Sequence, residues 1–149
     1  ATLVSRGIIV VVAAGNSGPA EDTIGCPGCA PDSLTVAAVD RNEKPAAFSS
    51  RGGAEFPLKP DVAAPGVDIY SGTSRGSVID IQEAPAGVGF AAISGTSMAT
   101  PHVGGFCAML KHMDPKITTA QIKRTMAARG HGKDFITGWG VPKWSYFAK

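Results

Sequence analysis

The longest apolar run of the chain covers residues 8–14 and is closed by Gly15. It has no alternating polar positions, and most of its residues are β-branched. A strand buried on both faces has this pattern, because helices cover both sides of a parallel sheet. Leu34–Val39 is a second short run, and 67–70 and 88–93 are weaker ones. The pattern therefore predicts an α/β fold with a mainly parallel sheet flanked by helices.

After Pro101 the apolar positions change to the three-and-four spacing of an amphipathic helix. Pro101 suits the first helical turn, and Pro115 ends the pattern. We expect this helix to run from about Thr96 to Met113. Its apolar face consists of Val103, Phe106, Cys107, Leu110 and Met113.

A second helix is predicted to begin near Thr118. Thr118 and Gln121 have the spacing of a capping box, and Ile117 with Ile122 has that of a hydrophobic staple. Gly130 is the expected stop at the carboxyl end.

The composition fits one globular domain. The chain has 149 residues, of which 44% are hydrophobic, so it can bury a core but is too short for two domains. Its 19 Gly and 11 Pro lie between the apolar runs and predict tight turns, with 71–87 as a surface loop. A net charge of +2 without a block of like charge indicates neither a nucleic-acid partner nor a membrane surface. The longest apolar run is also far too short to cross a bilayer.

Ser97 lies where the fourth apolar run gives way to the first long helix. A hydroxyl there is near backbone N–H groups and the positive end of a helix dipole, which favour a developing oxyanion. A serine in such a turn can instead simply cap the helix. On the turn alone both interpretations stay open.

The string GTSMATPHVGG at 95–105 closely resembles the nucleophile motif of the subtilisin-like serine proteases, the subtilases of peptidase family S8. Three further segments agree in order: VVAAGNSG at 11–18, Leu34–Val39 with FSS at 48–50, and KPDVAAPG at 59–66. These matches span nearly the whole chain. The resemblance implies that residues 1–149 are the C-terminal portion of a single subtilase catalytic domain, with the subtilisin-like three-layer fold.

The resemblance also implies a reaction, the hydrolysis of peptide bonds through an acyl-enzyme. Ser97 would be the nucleophile of this serine endopeptidase, and polypeptides would be its substrates. Asn16 would donate its side-chain amide to the oxyanion beside the backbone N–H of Ser97. Asn16 taken alone also suits a turn residue after a strand.

Two walls of a substrate pocket are implied by the same resemblance. Small residues there leave room for a large apolar or aromatic side chain on the acyl side of the scissile bond. The residues are Ala13, Ala14, Gly15, Gly25, Pro27 and Gly28.

One feature departs from the family. A serine nucleophile needs a base and a carboxylate that orients the base, and in subtilases both precede the serine. Here His102, His112 and His131 all follow Ser97, and the chain starts without Met or a signal sequence. His102 belongs to the motif as a structural residue, His112 suits a solvated helix end, and His131 lies between glycines in an expected loop. We therefore expect a missing or separate N-terminal segment of the same protease to supply the catalytic His and Asp.

Two alternatives remain. The chain could be a self-contained hydrolase that uses Ser97, Asp114 and His131, although Ala99 replaces the last Gly of that family's GxSxG elbow. It could also be a non-catalytic binding module that kept the subtilase fold.

Cys26 and Cys29 are separated by two residues, which suits a disulfide, half a zinc site or a redox motif. No second pair completes a zinc site, and Pro27 and Gly28 predict a loop and not a redox helix. We expect a short disulfide or two thiols in the pocket wall, and Cys107 as a buried core thiol.

The cysteines also bear on the location. A disulfide would favour a secreted or extracellular protein, with an intracellular location as the alternative. The chemistry requires no cofactor. Subtilases commonly bind structural calcium, as the resemblance implies, so a calcium ion stays possible. Its ligands are not identified, because no Asp-rich loop has the spacing of oxygen ligands.

Overall fold

A computed structural model describes residues 2–84 and 88–148 of the chain. Its strands are β1 (Val11–Ala13), β2 (Leu34–Val39), β3 (Val62–Pro65), β4 (Ile69–Gly72) and β5 (Phe90–Ile93). Its helices are α1 (Thr2–Ser5), α2 (Val78–Gln82), α3 (Thr96–Met113) and α4 (Thr119–Arg129), followed by a 3₁₀ turn at Trp144–Tyr146.

The first three strands form a parallel sheet in the order β1-β2-β3. All six residues of β2 are buried, as a central strand covered on both faces requires. The mainly parallel sheet predicted from the sequence is therefore confirmed. The first strand is shorter than the apolar run 8–14, although sheet hydrogen bonds at Val10 O and Ala14 N extend the pairing by one residue at each end.

The two weaker apolar runs form a separate antiparallel hairpin, β4 with β5. Ile69 lies opposite Ile93, and Gly72 lies opposite Phe90. The hairpin leads directly into α3, with two residues between β5 and the helix.

The prediction of a surface loop over 71–87 is wrong for half of the described residues in that stretch. Strand β4 continues to Gly72, and α2 occupies 78–82. The Asp80 carboxylate accepts hydrogen bonds from Thr73 Oγ1 and Gly76 N, which lower the pKa of Asp80. Hydrogen bonds of polar side chains, and not a periodic apolar face, therefore stabilise this short helix. Residues 85–87 of the predicted loop lie outside the described residues.

Helix α3 has the predicted bounds and packs on the parallel sheet. Ala99, Val103, Cys107 and Leu110 are buried on its inner face and form one cluster with core residues of the sheet. Pro101 lies in the second turn instead of the first, because the helix begins at Thr96. No helix in the described part of the chain is long and apolar enough to span a membrane.

Helix α4 completes the core with Ile122 and Met126. The predicted capping box is present, since Thr118 Oγ1 accepts from Gln121 N and Gln121 Oε1 accepts from Thr118 N. Gly130 ends the helix as predicted, because its backbone is extended (φ −72°, ψ 177°). Glycine is required here for a close approach to a neighbouring segment. A Cβ at Gly130 would lie 2.5 Å from the Trp139 carbonyl oxygen.

Candidate active site

Ser97 is exposed at the amino end of α3. The residue in the N-cap position is Gly95, and no side chain caps the helix. The interpretation of Ser97 as a capping residue is therefore wrong. Its backbone N–H donates to no acceptor among the described residues, as expected for the open first turn of a helix. A hydroxyl and a free N–H of the same residue thus face solvent at a helix amino terminus.

Asn16 is held beside this turn by its side-chain oxygen. Asn16 Oδ1 accepts from the Thr96 backbone N–H and from Thr96 Oγ1, both at 2.9 Å. Because the backbone N–H is a donor, the atom facing it must be the amide oxygen. The Nδ2 group then points away from Thr96 and lies beside Gly95, where an added Cβ would be 3.4 Å from it. The arrangement leaves two N–H donors of Nδ2 next to the Ser97 turn.

Several residues that the sequence did not single out bring these two segments together. Thr96 Oγ1 also accepts from Gly15 N at 3.2 Å, so one threonine binds both residues at the end of β1. Gly95 N donates to Gly66 O at 2.8 Å. A Cβ at Gly66 would lie 2.7 Å from Gly95 O, so this close approach requires glycine. Ser50 N donates to Gly15 O, and Ser50 Oγ accepts from Ser17 N.

The residues expected in the substrate-pocket walls are brought together. Gly25 N donates to Ala14 O at 3.0 Å, which joins the segment after β1 to the Gly25–Cys29 turn. A Cβ at Gly28 would lie 2.7 Å from Ala13 O, so only glycine fits there. Gly15 has φ +110°, which glycine adopts readily, and a Cβ there would meet Ser50 Oγ at 2.8 Å. Pro27 is exposed at the tip of the same turn.

Cys26 and Cys29 form a disulfide in this turn, one of the two expected arrangements. Cys107 is buried in the core cluster, and burial raises the pKa of its thiol to about 11. A thiol with that pKa is almost entirely protonated at neutral pH and is a poor nucleophile.

This chemistry predicts the order in which the cysteines react. With iodoacetamide at pH 8 and no reductant, the native protein should label at none of the three. Unfolding without reductant should expose Cys107 alone, and reduction should then release the other two, as read by peptide mass mapping. Cys26 is exposed. Rapid native labelling of Cys26 would therefore contradict the disulfide.

None of the three histidines contacts Ser97. His102 Nδ1 hydrogen-bonds to Met98 O one turn earlier on α3, and His112 lies in the last turn of that helix. His131 Nδ1 bonds to Gly132 O, and its Nε2 lies 3.4 Å from Thr137 Oγ1. Within the described residues, no base therefore touches the serine.

The alternative triad of Ser97, Asp114 and His131 is excluded by the length of α3. Ser97 lies in the first turn, and Asp114 is the residue that follows the last turn. At a rise of 1.5 Å per residue, the two are separated by roughly 25 Å. A carboxylate at that distance cannot orient a base at the serine.

The described residues contain no group of three or more His, Cys, Asp or Glu side chains that could hold a metal ion. The buried carboxylate of Asp61 accepts from the Thr35 N–H, and lysine ammonium groups occupy both of its oxygens. The residues present therefore do not fit a calcium ion at Asp61.

The site first defines a class of protein. A parallel α/β domain that exposes a serine in the first turn of a helix, with an amide donor beside it, has the arrangement of a serine hydrolase. The model of the subtilase family matches residues 2–140. The chain therefore belongs to the subtilase family.

Individual relatives agree with this assignment. Serine protease AprX of Bacillus subtilis (strain 168) is 42% identical over 132 residues, which cover 82% of this chain and 30% of AprX. M-protease of Shouchella clausii (strain KSM-K16) is 38% identical over 136 residues, covering 91% of this chain and 29% of M-protease. The solved structure of Sphericase matches with TM-score 0.73 at 31% identity, covering 93% of this chain and 48% of Sphericase. The chain thus spans less than a third of these curated relatives and about half of Sphericase, and its subtilisin-like fold is confirmed.

Proposed function

We propose that this chain is the C-terminal portion of a subtilase catalytic domain and carries the nucleophile of a serine endopeptidase. The observation that carries the proposal is a pair of N–H donors near one exposed serine. Asn16 Nδ2 lies beside Gly95 in the turn that precedes the exposed Ser97, Thr96 fixes the asparagine, and the Ser97 N–H has no acceptor among the described residues. When Ser97 Oγ attacks a peptide carbonyl, the carbonyl oxygen becomes negative, and preorganised N–H donors stabilise that charge.

The small residues after β1 and in the disulfide turn support a pocket for the acyl-side substrate residue. Gly15 and Gly28 allow close approaches to Ser50 Oγ and Ala13 O, and the alanines beside them carry only a methyl group, so the proposed walls are built of small residues. A pocket with such walls accommodates a large apolar or aromatic side chain. The proposed substrates are therefore polypeptides, cleaved after residues of that kind.

A segment of the same protease outside these residues would supply the base and its orienting carboxylate. An imidazole must reach the Ser97 hydroxyl. His102 and His131 hydrogen-bond to backbone carbonyl oxygens, and His112 lies at the far end of α3. The segment would act either as the preceding part of one polypeptide or as a separate chain that stays associated.

The surface next to β1 offers a place for that segment. Strand β1 is an edge strand of the described sheet, so one side of its backbone has no strand partner there. A cleft of about 230 Å³ lies between this strand and α3, lined by Ile9, Val11, Gly104, Cys107, Ala108 and Lys111. An unpaired apolar edge accepts a further strand readily. The proposed segment would extend the sheet at β1 and bring its histidine toward Ser97.

The proposal is tested by treating the purified protein with a fluorophosphonate and measuring the intact mass of every polypeptide in the sample. We expect one adduct, which peptide mapping assigns to Ser97, because the reagent requires a serine activated by a base. The same spectrum identifies whether the base lies on a longer polypeptide or on a second chain. A sample that hydrolyses peptides without an adduct on Ser97 would refute the assignment.

Secretion is proposed on the disulfide. A disulfide between Cys26 and Cys29 persists best in an oxidising compartment. Recovery of the disulfide-bonded protein from the culture medium, and not from the cell extract, would support an extracellular location.

A further inference from the structure

A second cavity lies behind the disulfide turn, away from the Ser97 turn. It has a volume of about 350 Å³, within the range of small-molecule sites, and Cys29 forms part of its wall. Apolar and aromatic groups form much of the rest, namely Pro31, Phe56, Pro57, Leu58 and Trp139. The remaining lining side chains are charged: Glu55, Lys59, Asp61, Lys123 and Lys133.

The charges in this cavity do not balance. Asp61 is buried, and its two oxygens accept from Lys59 Nζ at 2.8 Å and Lys123 Nζ at 2.9 Å. Lys133 makes no ion pair within the described residues. Three ammonium groups therefore line the cavity beside a single buried carboxylate, since Glu55 is exposed and forms no ion pair with them.

Two of the lysines keep unused N–H donors. Lys133 Nζ donates to Leu58 O and lies 4.1 Å from the centre of the Trp139 ring. Lys123 Nζ donates to Pro31 O and to Asp61. An ammonium group has three N–H donors, so each of these lysines retains at least one.

The pKa shifts of two lysines agree with a shortage of negative charge in the cavity. The pKa of Lys133 is lowered by burial, and the neighbouring Lys123 and Lys59 lower it further, against the opposing effect of Asp61. The pKa of Lys59 is also lowered, again chiefly by burial. An anion placed in the cavity would stabilise the charged form of both lysines.

We propose that this cavity binds a carboxylate attached to a flat apolar group, with the carboxylate between Lys123 and Lys133 and the apolar group along Trp139, Phe56 and Leu58. The excess of ammonium groups selects an anion, and the aromatic and aliphatic walls select its apolar portion. The cavity is distinct from the proposed substrate pocket. Cys29 lines the cavity, whereas none of the residues proposed for the substrate-pocket walls does.

The ligand would bind close to groups that hold the substrate wall. Lys59 Nζ donates to Thr35 Oγ1 at 2.8 Å, and Thr35 Oγ1 donates to Gly28 O at 2.7 Å. One buried threonine thus joins the charge cluster to the backbone of the proposed substrate pocket.

The test uses 4-fluorobenzoate as the probe and ¹⁹F NMR of the purified protein as the measurement. We expect saturable broadening of the probe signal, with 4-fluorobenzamide, the uncharged analogue, binding at least tenfold more weakly. Lys133→Met should weaken benzoate binding at least tenfold, and Lys133→Arg should stay within about threefold of the parent protein. Lys143→Met is the matched control, because Lys143 is exposed and pairs with Glu43 instead.

A second measurement uses the unaltered protein, so it does not depend on the folding of a variant. Benzoate should slow the acetylation of Lys133 and Lys123 by acetic anhydride, as measured by peptide mass mapping, and leave Lys143 unchanged. Equal binding of benzoate and benzamide, or the same affinity in Lys133→Met and Lys143→Met, would overturn the proposal. Binding that persists in Ser97→Ala separates this site from the proposed protease activity.

Discussion

Replacing Ser97 with alanine should abolish peptide hydrolysis by the complete protease. The hydroxyl supplies the atom that forms the acyl-enzyme. The neighbouring hydroxyls cannot take its place, because Thr96 is buried and donates to Asn16 Oδ1, and Thr100 Oγ1 donates to Thr96 O. The loss of kcat known for the nucleophile of subtilisin itself is about 10⁶-fold, and we expect a loss of that order here. Turnover of a chromogenic peptide should fall to the level left by the oxyanion donors alone.

Ser94→Ala provides the matched control. Ser94 lies in the same turn, is exposed, and accepts from Asp68 N through its hydroxyl oxygen, but it lies before the helix. Its removal should leave kcat within a few-fold of the parent enzyme. If turnover survives in Ser97→Ala and is lost in Ser94→Ala, the nucleophile is Ser94 and our assignment of Ser97 is wrong. Turnover unchanged in both would mean that the peptidase activity belongs to another site.

The elements predicted well are those whose evidence is local in the sequence. The bounds of α3 follow from the apolar spacing after Pro101 and from the strand-to-helix turn before it. The cap of α4 follows from two residues three positions apart, Thr118 and Gln121. The buried strand β2 follows from a run without polar positions. In each case, a few neighbouring residues carry both the pattern and the physical cause.

Helix α2 was missed because its cause is polar and short in range. Five residues are too few to show a helical period, and the turn depends on the hydrogen bonds of Ser77 and Asp80. Strand β1 was predicted too long for the opposite reason. The apolar run continues beyond the part that pairs, and composition alone does not show where pairing stops.

The candidate residues of the site were predictable only through resemblance. Asn16 and Thr96 are 80 residues apart, and no spacing rule joins them. The Lys123–Asp61 ion pair likewise connects α4 to the segment before β3, which pattern analysis of either segment could not reveal. Tertiary contacts of this kind depend on the register of the sheet, because β3 and β1 both pair with β2.

Asn16→Ala should lower kcat far more than it changes KM. The ground-state carbonyl of a bound peptide carries little charge, whereas the oxygen of the tetrahedral intermediate is an anion, so a donor aimed at that oxygen acts mainly in the transition state. Removal of the corresponding donor in subtilisin itself is known to cost about 10²–10³ in kcat. We expect a loss of that order, measured with a peptide substrate at several concentrations.

Thr96→Val tests whether the orientation of Asn16 matters. This change removes the hydroxyl that donates to Asn16 Oδ1 and accepts from Gly15 N, and it leaves the backbone N–H bond to Asn16 in place. Since one of two restraints remains, kcat should fall by less than in Asn16→Ala, again with little change in KM. The double variant should be no slower than Asn16→Ala alone, because the threonine acts on kcat through the asparagine. An equal effect of Asn16→Ala on kcat and KM would instead place Asn16 in ground-state binding of the substrate.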